Sequence, residues 1–484
     1  MSRITLARRT LGKSSLFVFS VGASSPLTVL VGGIVSTYAL TGVVGVPLSF
    51  LVIMSVVSVL AIGYVAMSKY VLHSAPFYAQ LAQGVSPAAG VAGATVALLG
   101  YNAIQISLFA LIGTTLAGLV GGFWWWWALA AWVIVGALGR FRGAANAKVL
   151  GSLLAVEIAT ILLFDAAAFF NPASGPISLE PLMPSSLVAT GASGALAFAM
   201  AAFTGAESPP AFGEEARSHG AVGGATFGGI VFLGVFYAVS AWAYATAAGP
   251  DHVVEAARDP GRGPLMVLDH VFGPGVVTLA TLLLVTSVLA AMSAFHATVA
   301  RYVFALARED VLPSSWAKVS EGSKGGAPLG GSLLQSLVSL LVIVVFVVSG
   351  ADPMGTMFVW LSTIGALCVL LLLTASSMAA RSFFGAGGGA RESVMIRQVG
   401  PSIGGVLGVL LLVFMASNLS SLLGVSPGSP LPWLVAVIVV LTGAGGFAWG
   451  VWLKRSRPGV YENLGRGTPD PLTVLDQRLS DLAV

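Results

Sequence analysis

The 484-residue sequence is short of charge: Asp, Glu, Lys and Arg supply only 9% of it, while 56% is hydrophobic. Soluble globular domains carry roughly 25% charged residues, so a fully water-covered exterior is excluded. Cysteine is nearly absent. The single Cys368 sits inside an apolar run, which leaves no disulfide framework, no thiolate metal cluster and no anchor for a disulfide-linked accessory subunit. The five histidines form no metal-binding set, so no metal is expected. No Gly-x-x-x-x-Gly-Lys phosphate loop occurs, which argues against ATP-driven work within this chain. No nucleic-acid partner is expected, and spans this poor in polar groups assemble no nucleophile–base pair for an enzyme.

What the sequence does have is 60 glycines and a series of long apolar runs. Glycine at this frequency suits closely packed membrane helices, where small residues let backbones approach. Runs near the roughly 20 residues needed to span a bilayer fall at 16–38, 43–66, 86–119, 124–139, 148–170 and 191–213. Six more fall at 222–249, 272–305, 330–350, 355–380, 402–424 and 431–453. The expectation is an all-α polytopic membrane protein of twelve helices in a lipid bilayer. The Trp124–Trp127 cluster reads as an interfacial aromatic anchor.

Charge placement orients the chain. Of 23 Lys and Arg, 21 fall in segments that share the side of the N-terminus, from Arg3, Arg8 and Arg9 through Arg142, Lys324 and Arg391 to Arg478. Only Arg258 and Arg262 fall on the other side. By the positive-inside rule both termini are cytoplasmic. Arg8-Arg9 precedes the first run, but no small-residue cleavage site closes it, so a retained helix is expected rather than a secretion signal. The stretch 251–269 reads as an external loop of short helices. The tail from Lys454 reads as polar and partly disordered.

Two runs are interrupted in the same way. The sixth reads FTGAESPPAFGEEAR over Phe203–Arg217, and the first holds Gly22-Ala23-Ser24-Ser25-Pro26. Broken backbone at membrane depth is tolerated only where it lines a cavity or packs on protein. Ser25 and Ser208 stand where they can cap the following half-helix, with Pro26 and Pro209 at its first turn. Breaks in helices one and six imply a repeat of five helices, inverted because five is odd, with helices eleven and twelve appended. Paired interruptions of this kind point to a midplane site. The bland alternative, ordinary proline kinks, needs one proline at each place and not Gly, Ser, acid and proline together. Half-helix N-termini at Pro26 and Pro209 offer N–H groups to an anion, and carbonyls near Val21 and Phe203–Thr204 suit a cation. A small zwitterion satisfies both, which points to an amino acid.

Three segments carry a family resemblance over essentially the whole chain: FTGAESPPAFGEEAR, the helix-eight exit FHATVARYVFALAREDVLP (Phe295–Pro313), and GASSPLTVLVGGI in helix one. They resemble the amino acid–polyamine–organocation superfamily of transporters, of the bacterial amino acid permease type. The resemblance implies a leucine-transporter-type fold, with a 5+5 inverted repeat plus two C-terminal helices, and alternating access in the plasma membrane. It divides the chain into a cytoplasmic N-terminus (1–15), a transport core (16–380), helices eleven and twelve (381–453) and a cytoplasmic tail (454–484). Family members taking bulky or cationic substrates often place an aromatic six residues before the helix-six acid; here that position is Ala201, with Phe203 the nearest aromatic.

The expected substrate contacts include Gly22, with backbone around Ala23–Leu27 (Ala23, Ser24, Ser25 and Pro26 among it) for the carboxylate and carbonyls around Ala202–Thr204, with Phe203 between them, for the ammonium. Phe203, Ala206, Tyr101, Asn102 and Ser362 are candidates for side-chain selectivity. Ionisable residues inside spans are functional candidates by default. The resemblance places Glu157 where some members carry a lysine that substitutes for a sodium ion and takes part in proton coupling; a structural carboxylate is the alternative. Glu207 reads first as a brace for the break and second as a proton site. Asp165 reads as a solvated helix end before an external gate, and His296 as packed before proton relay. Ser287 and Ser293 offer a minority sodium site, so the proton is the expected coupling ion. Glu214, Glu215 and Arg217 read as a cytoplasmic ion-pair network with Arg140, Arg142 or Arg301. The function expected is proton-coupled amino acid symport. The alternatives are an amino acid/amine exchanger, a polyamine or amine carrier, and, more remotely, a non-transporting sensor or channel.

Overall fold

The structure, a computed structural model, describes residues 6, 10–141, 143–320, 326–389 and 392–467. Arg3, Arg8, Arg9, Arg142, Lys324, Arg391, Arg478 and the tail beyond residue 467, which entered the reading of orientation, lie outside the described residues. The described residues contain helices, turns and two isolated bridges, and no strand.

In chain order the apolar helices are α1 (Lys13–Thr41), α2 (Val46–Ser68), α3 (Pro87–Val120), α4 (Trp124–Leu138), α5 (Gly143–Phe170) and α6 (Ala192–Ala202). There follow α7 (His219–Ala248), α8 (Pro274–Arg308), α9 (Leu329–Ser349), α10 (Pro353–Gly385), α11 (Met395–Ser417) and α12 (Leu431–Ser456). Ten of these are long and apolar enough to cross a membrane, while α4 and α6 are shorter. Their starts follow local chemistry. Ser86 caps α3 by accepting from the Ala89 N–H, with Pro87 at the first turn, and Ser218 caps α7 by accepting from Ala221.

Helix α3 is a central post, packed by α4, α8, α10 and α12. Glycine allows the close approaches: a Cβ on Gly100 would meet Cys368 Cβ of α10 at 2.6 Å, and one on Gly450 would meet Ala88 Cα of α3 at 2.6 Å. On the other side α1 lies among α5, α7 and α8, and α2 packs along α7. The outer faces stay apolar, as at Leu341, Val345 and Val348 of α9 and Trp433, Val440 and Leu441 of α12, all exposed. Apolar side chains facing outward over whole helices are the surface that lipid covers.

The loop at 251–269 holds short helices, Val253–Arg258 and Pro264–Phe272, joined by a 3₁₀ turn. Two further elements were not legible beforehand. One is the helix Pro76–Gly84 between α2 and α3. The other is the helix Pro458–Asn463 after α12, where a loose tail was expected. The described part of the tail is instead docked: Leu464 is 2% exposed, and the Gly465 N–H donates to Glu309 Oε2 at 2.7 Å. Hydrogen bonding to a buried carboxylate fixes backbone whose composition alone reads as polar linker.

Candidate functional site

The first break turns on Ser25, which has φ 49 and so occupies the left-handed region. A non-glycine residue held there costs of order 1–3 kcal/mol and persists only where its surroundings fix it. Here they do. Ser25 Oγ is 2.7 Å from both Thr28 Oγ1 and Ser287 Oγ. The expectation that Ser25 caps the following half-helix is corrected: its side chain makes no capping bond. The cap comes from another helix. Glu157 of α5 accepts the Leu27 N–H on Oε1 at 2.6 Å, and the same oxygen accepts from Ser287 Oγ at 2.6 Å. A carboxylate at a helix N-terminus is favoured by the helix dipole.

The second break is built differently. Helix α6 stops at Ala202, and residues 203–207 form turns. Gly205, at φ +106, passes so close to α1 that a Cβ there would lie 2.8 Å from Ala23 Cβ. Only glycine meets both the dihedral and the clearance. Glu207 braces the loop: Oε2 accepts the Gly205 N–H at 2.8 Å, Oε1 accepts from Tyr101 Oη at 3.0 Å, and its carbonyl accepts from Tyr64 Oη at 3.1 Å. Pro209–Glu215 is 3₁₀, and Ser208 does not cap it, so the expected match with the α1 half-helix is limited to the presence of a break. The cause lies in two consecutive prolines, which remove two backbone donors from the first turn. Hydroxyls tie the two breaks together: Ser24 Oγ donates to the Ala202 carbonyl at 2.6 Å, and Ser20 Oγ to that of Ala206 at 2.8 Å.

A cavity of about 500 Å³ opens beside the breaks. Ala23, Ser24, Ser25 and Thr28 of α1 line it, together with Ala201, Ala202 and Thr204 at the α6 break. Other walls come from α3, α8, α10 and α11, with Ser362 on α10. Lining also comes from Gly32 and Ser36 late in α1, Phe198 about one turn before the α6 break and Met354 early in α10, so the space leads away from the end that holds Glu214 and Arg308. Gly22, Pro26, Phe203 and Ala206 stand behind the lining. Phe203 is 1% exposed and packs edge-on against Tyr237 at 6.2 Å. Tyr101 is spent on Glu207, and Asn102 Nδ2 donates to its own helix at Leu98, so neither reaches the lining. Thr28, Ser36 and Ser107 also line the cavity and were missed; Thr28 had a signal, standing three residues after Ser25 on the same helical face.

The remaining candidates have definite places. Asp165 is not a solvated helix end: it is 4% exposed and accepts from Ser240 Oγ of α7 at 3.2 Å. His296 is packed, with Gln105 at 3.2 Å and Ser332 at 2.8 Å. Ser293 Oγ donates to the Leu289 carbonyl and Ser287 Oγ to Glu157. Among the described residues no group of three or more His, Cys, Asp or Glu could hold a metal ion.

Past the breaks, one end of the bundle is closed by buried ion pairs. Arg301 Nε donates to Glu215 Oε1 at 2.7 Å, and its guanidinium lies 4.1 Å over the Phe212 ring. Arg308 donates to both oxygens of Glu214 at 2.8 Å. The partners are thus Arg301 and Arg308; Arg140 is not among them. Glu309 accepts from His73, Tyr78 and the backbone N–H groups of Gly465 and Gly467. Burial opposes ionisation of Glu214, but Arg308 outweighs it and holds the carboxyl down at about 2. Burial likewise opposes ionisation of Glu309, and the facing His73, with the Tyr78 and Gly465 hydrogen bonds, takes it below the ordinary range.

Comparison with known protein families gives one match, to the amino acid permease family, over residues 11–444. No curated protein matches the chain. The match spans both breaks, the cavity and eleven of the twelve apolar helices in full, and the family consists of transporters, not enzymes. The chain belongs to the amino acid permease family of the amino acid–polyamine–organocation superfamily, and is an integral membrane protein that carries amino acids across the bilayer.

Proposed function

We propose that the protein is a proton-coupled amino acid symporter of the plasma membrane. In this reading α1–α12 are twelve spans with both termini cytoplasmic, and α1–α5 and α6–α10 form the inverted pair. The ion-paired end is then the cytoplasmic gate, closed, and the cavity opens toward the outside. Its residues fall in the divisions 1–15, 16–380, 381–453 and 454–484. The observation that carries the coupling is a hydroxyl chain from the cavity wall to a buried carboxylate: Thr28 to Ser25 to Ser287 to Glu157, each step 2.6–2.7 Å.

The chemistry follows from charge. A substrate carboxylate seated at Ser25 and Thr28, beside the start of the second half of α1, faces Glu157 through that chain. If Glu157 is ionised, two negative charges oppose each other in a poorly screened interior. Once Glu157 takes a proton, the repulsion disappears and the hydroxyls can donate toward the substrate. Proton and substrate then favour each other's binding, and by linkage the effect is reciprocal. Protonation also weakens the charge-assisted cap on the Leu27 N–H, freeing the second half of α1 from α5. The substrate ammonium is left the Ala202 carbonyl, which has a lone pair beyond the Ser24 bond, and the Thr204 hydroxyl. Glu207, with both oxygens already bonded, acts as the brace of the α6 break.

The test is uptake into proteoliposomes under an imposed inward proton gradient. Glu157→Gln is expected to retain substrate counterflow and lose gradient-driven accumulation. Full, pH-dependent concentrative uptake by that variant would rule out Glu157 as the coupling group. Wild-type uptake that needs internal substrate and ignores the gradient would make the protein an exchanger.

A further inference from the structure

We propose that the cavity takes amino acids with a bulky, uncharged, apolar side chain, and that Ala201 sets the upper limit of size. This rests on the cavity being the transport site. Its polar groups gather at the breaks: Ser24, Ser25, Thr28 and Thr204. Thr204 Oγ1 is buried on this wall without a hydrogen-bond partner, a contact left for a ligand's headgroup. Away from the breaks the wall carries four hydroxyls, of which Ser36 lies late in α1 and the other three are committed to backbone. Ser107 donates to the Ile104 carbonyl, Ser362 to that of Val359, and Thr363 to those of Val359 and Leu422.

The rest of the wall is apolar, with Ile104, Leu108, Phe198, Phe295, Phe358 and Met415 facing the space. Among the described residues no Asp, Glu, Lys, Arg or His lines it. A charged side chain entering here would lose water and meet no opposite charge, which is a prohibitive exchange. The carboxylates flanking the breaks do not alter this. Glu157 serves Leu27 and Ser287, Glu207 serves Gly205 and Tyr101, and neither is on the lining. Cationic and acidic amino acids and polyamines are therefore excluded by the same feature that favours an aliphatic or aromatic side chain.

Size follows from what the wall omits. Ala201, Ala291, Ala366 and Gly355 stand on the lining, and about 500 Å³ lies within the roughly 300–1,000 Å³ of small-molecule sites. Ala201 lies in the last turn of α6 before the break and on the lining, so in this cavity an aromatic ring added there would take up part of the volume now open to a ligand side chain, whatever ring other members carry at that position.

The experiment measures binding to the purified transporter and counterflow in proteoliposomes, using L-phenylalanine, L-leucine, L-alanine, L-arginine, L-glutamate and putrescine. Phenylalanine and leucine are expected to bind at least about tenfold more tightly than alanine. Arginine, glutamate and putrescine are expected not to compete. Ala201→Phe should move the phenylalanine-to-alanine preference about tenfold toward alanine; Ala366→Leu, on the facing helix, should shift it in the same direction and covers the case in which the first variant misfolds. Arginine, glutamate or putrescine competing as well as phenylalanine, an unchanged preference in both variants, or no binding by any probe overturns the proposal. Phenylalanine binding without counterflow would sink the transport role of the cavity and leave its chemical class standing.

Discussion

The cavity and the ion-paired end lie on either side of the same two broken helices and use opposite chemistry. Around the cavity the polar contacts are hydroxyls and backbone groups, and the carboxylates at Glu157 and Glu207 stand behind the wall as braces. At the closed end the contacts are carboxylate–guanidinium pairs of low exposure, Glu215–Arg301 at 2% and 4% and Glu214–Arg308 at 15% and 9%. On the proposed reading the cavity is a substrate site, which must release its cargo and is suited by weak, replaceable contacts. On the same reading the other end is a gate, which must hold against leakage and still come apart as a unit, as paired charges can. Breaking such a pair cleanly lets both ions return to water, whereas deleting one partner leaves the other charge buried. The pair Asp259–Arg262, at the far end, is 3.6 Å apart and mostly exposed, and carries little by comparison.

The comparison is broken most strongly at Arg301. Arg301→Ala leaves Glu215 buried without its partner and removes the guanidinium from Phe212, at an expected cost of about 3–5 kcal/mol. Thermal unfolding in detergent should show a large fall. A change no greater than that from Arg262→Ala would mean the buried pair is not what holds this end together.

Glu214 gives the next effect and a pH signature. Its folded value of about 2 lies below the ordinary 4.5, so folding favours the ionised form. That stabilisation is fully present above about pH 4.5 and is lost as pH falls toward 2, and the gap corresponds to about 3 kcal/mol. Glu214→Gln should therefore lower stability at pH 7, with the deficit flat from pH 8 to 5 and closing only in strong acid. A deficit that already shrinks between pH 7 and 5 would show that Arg308 does not hold Glu214 in this way. The flat profile also separates the regions: pH sensitivity of transport near neutrality has to arise elsewhere than at this pair.

The smallest effect is expected at the docked tail. Truncation after Arg457 removes the buried Leu464 and the Gly465 and Gly467 N–H groups from Glu309, but His73 and Tyr78 still hold the carboxylate, so the cost is about 1–2 kcal/mol. Hydrogen exchange should rise around 73–80 while the α3 and α10 core stays protected. Unchanged exchange there would mean the tail merely rests on the bundle.

Much of the architecture could be read from residue order. Among the described residues the ten helices long enough to cross a membrane and the two shorter ones each overlap a run marked out by hydropathy, because in lipid a long apolar stretch has no stable alternative to a helix. The breaks were legible too, since Gly22–Pro26 and Phe203–Pro210 each combine residues that no continuous helix retains. Their internal geometry was not. Ser25 looks like a cap by position, but the cap is Glu157, 130 residues away in sequence. Asp165 looks like a helix end by position, but α7 covers it.

What the sequence determined by itself is therefore what is governed by neighbours along the chain: which stretches form long apolar helices, and where two of them break. Tertiary structure alone decided which carboxylate caps which helix, which hydroxyls remain on the wall, and that Arg308 and the tail complete the closed end. The physical reason is reach. Hydropathy and helix breaking act over a few residues, whereas a buried polar group is satisfied by whatever donor folding brings within about 3 Å, and in a bundle that partner lies on another helix.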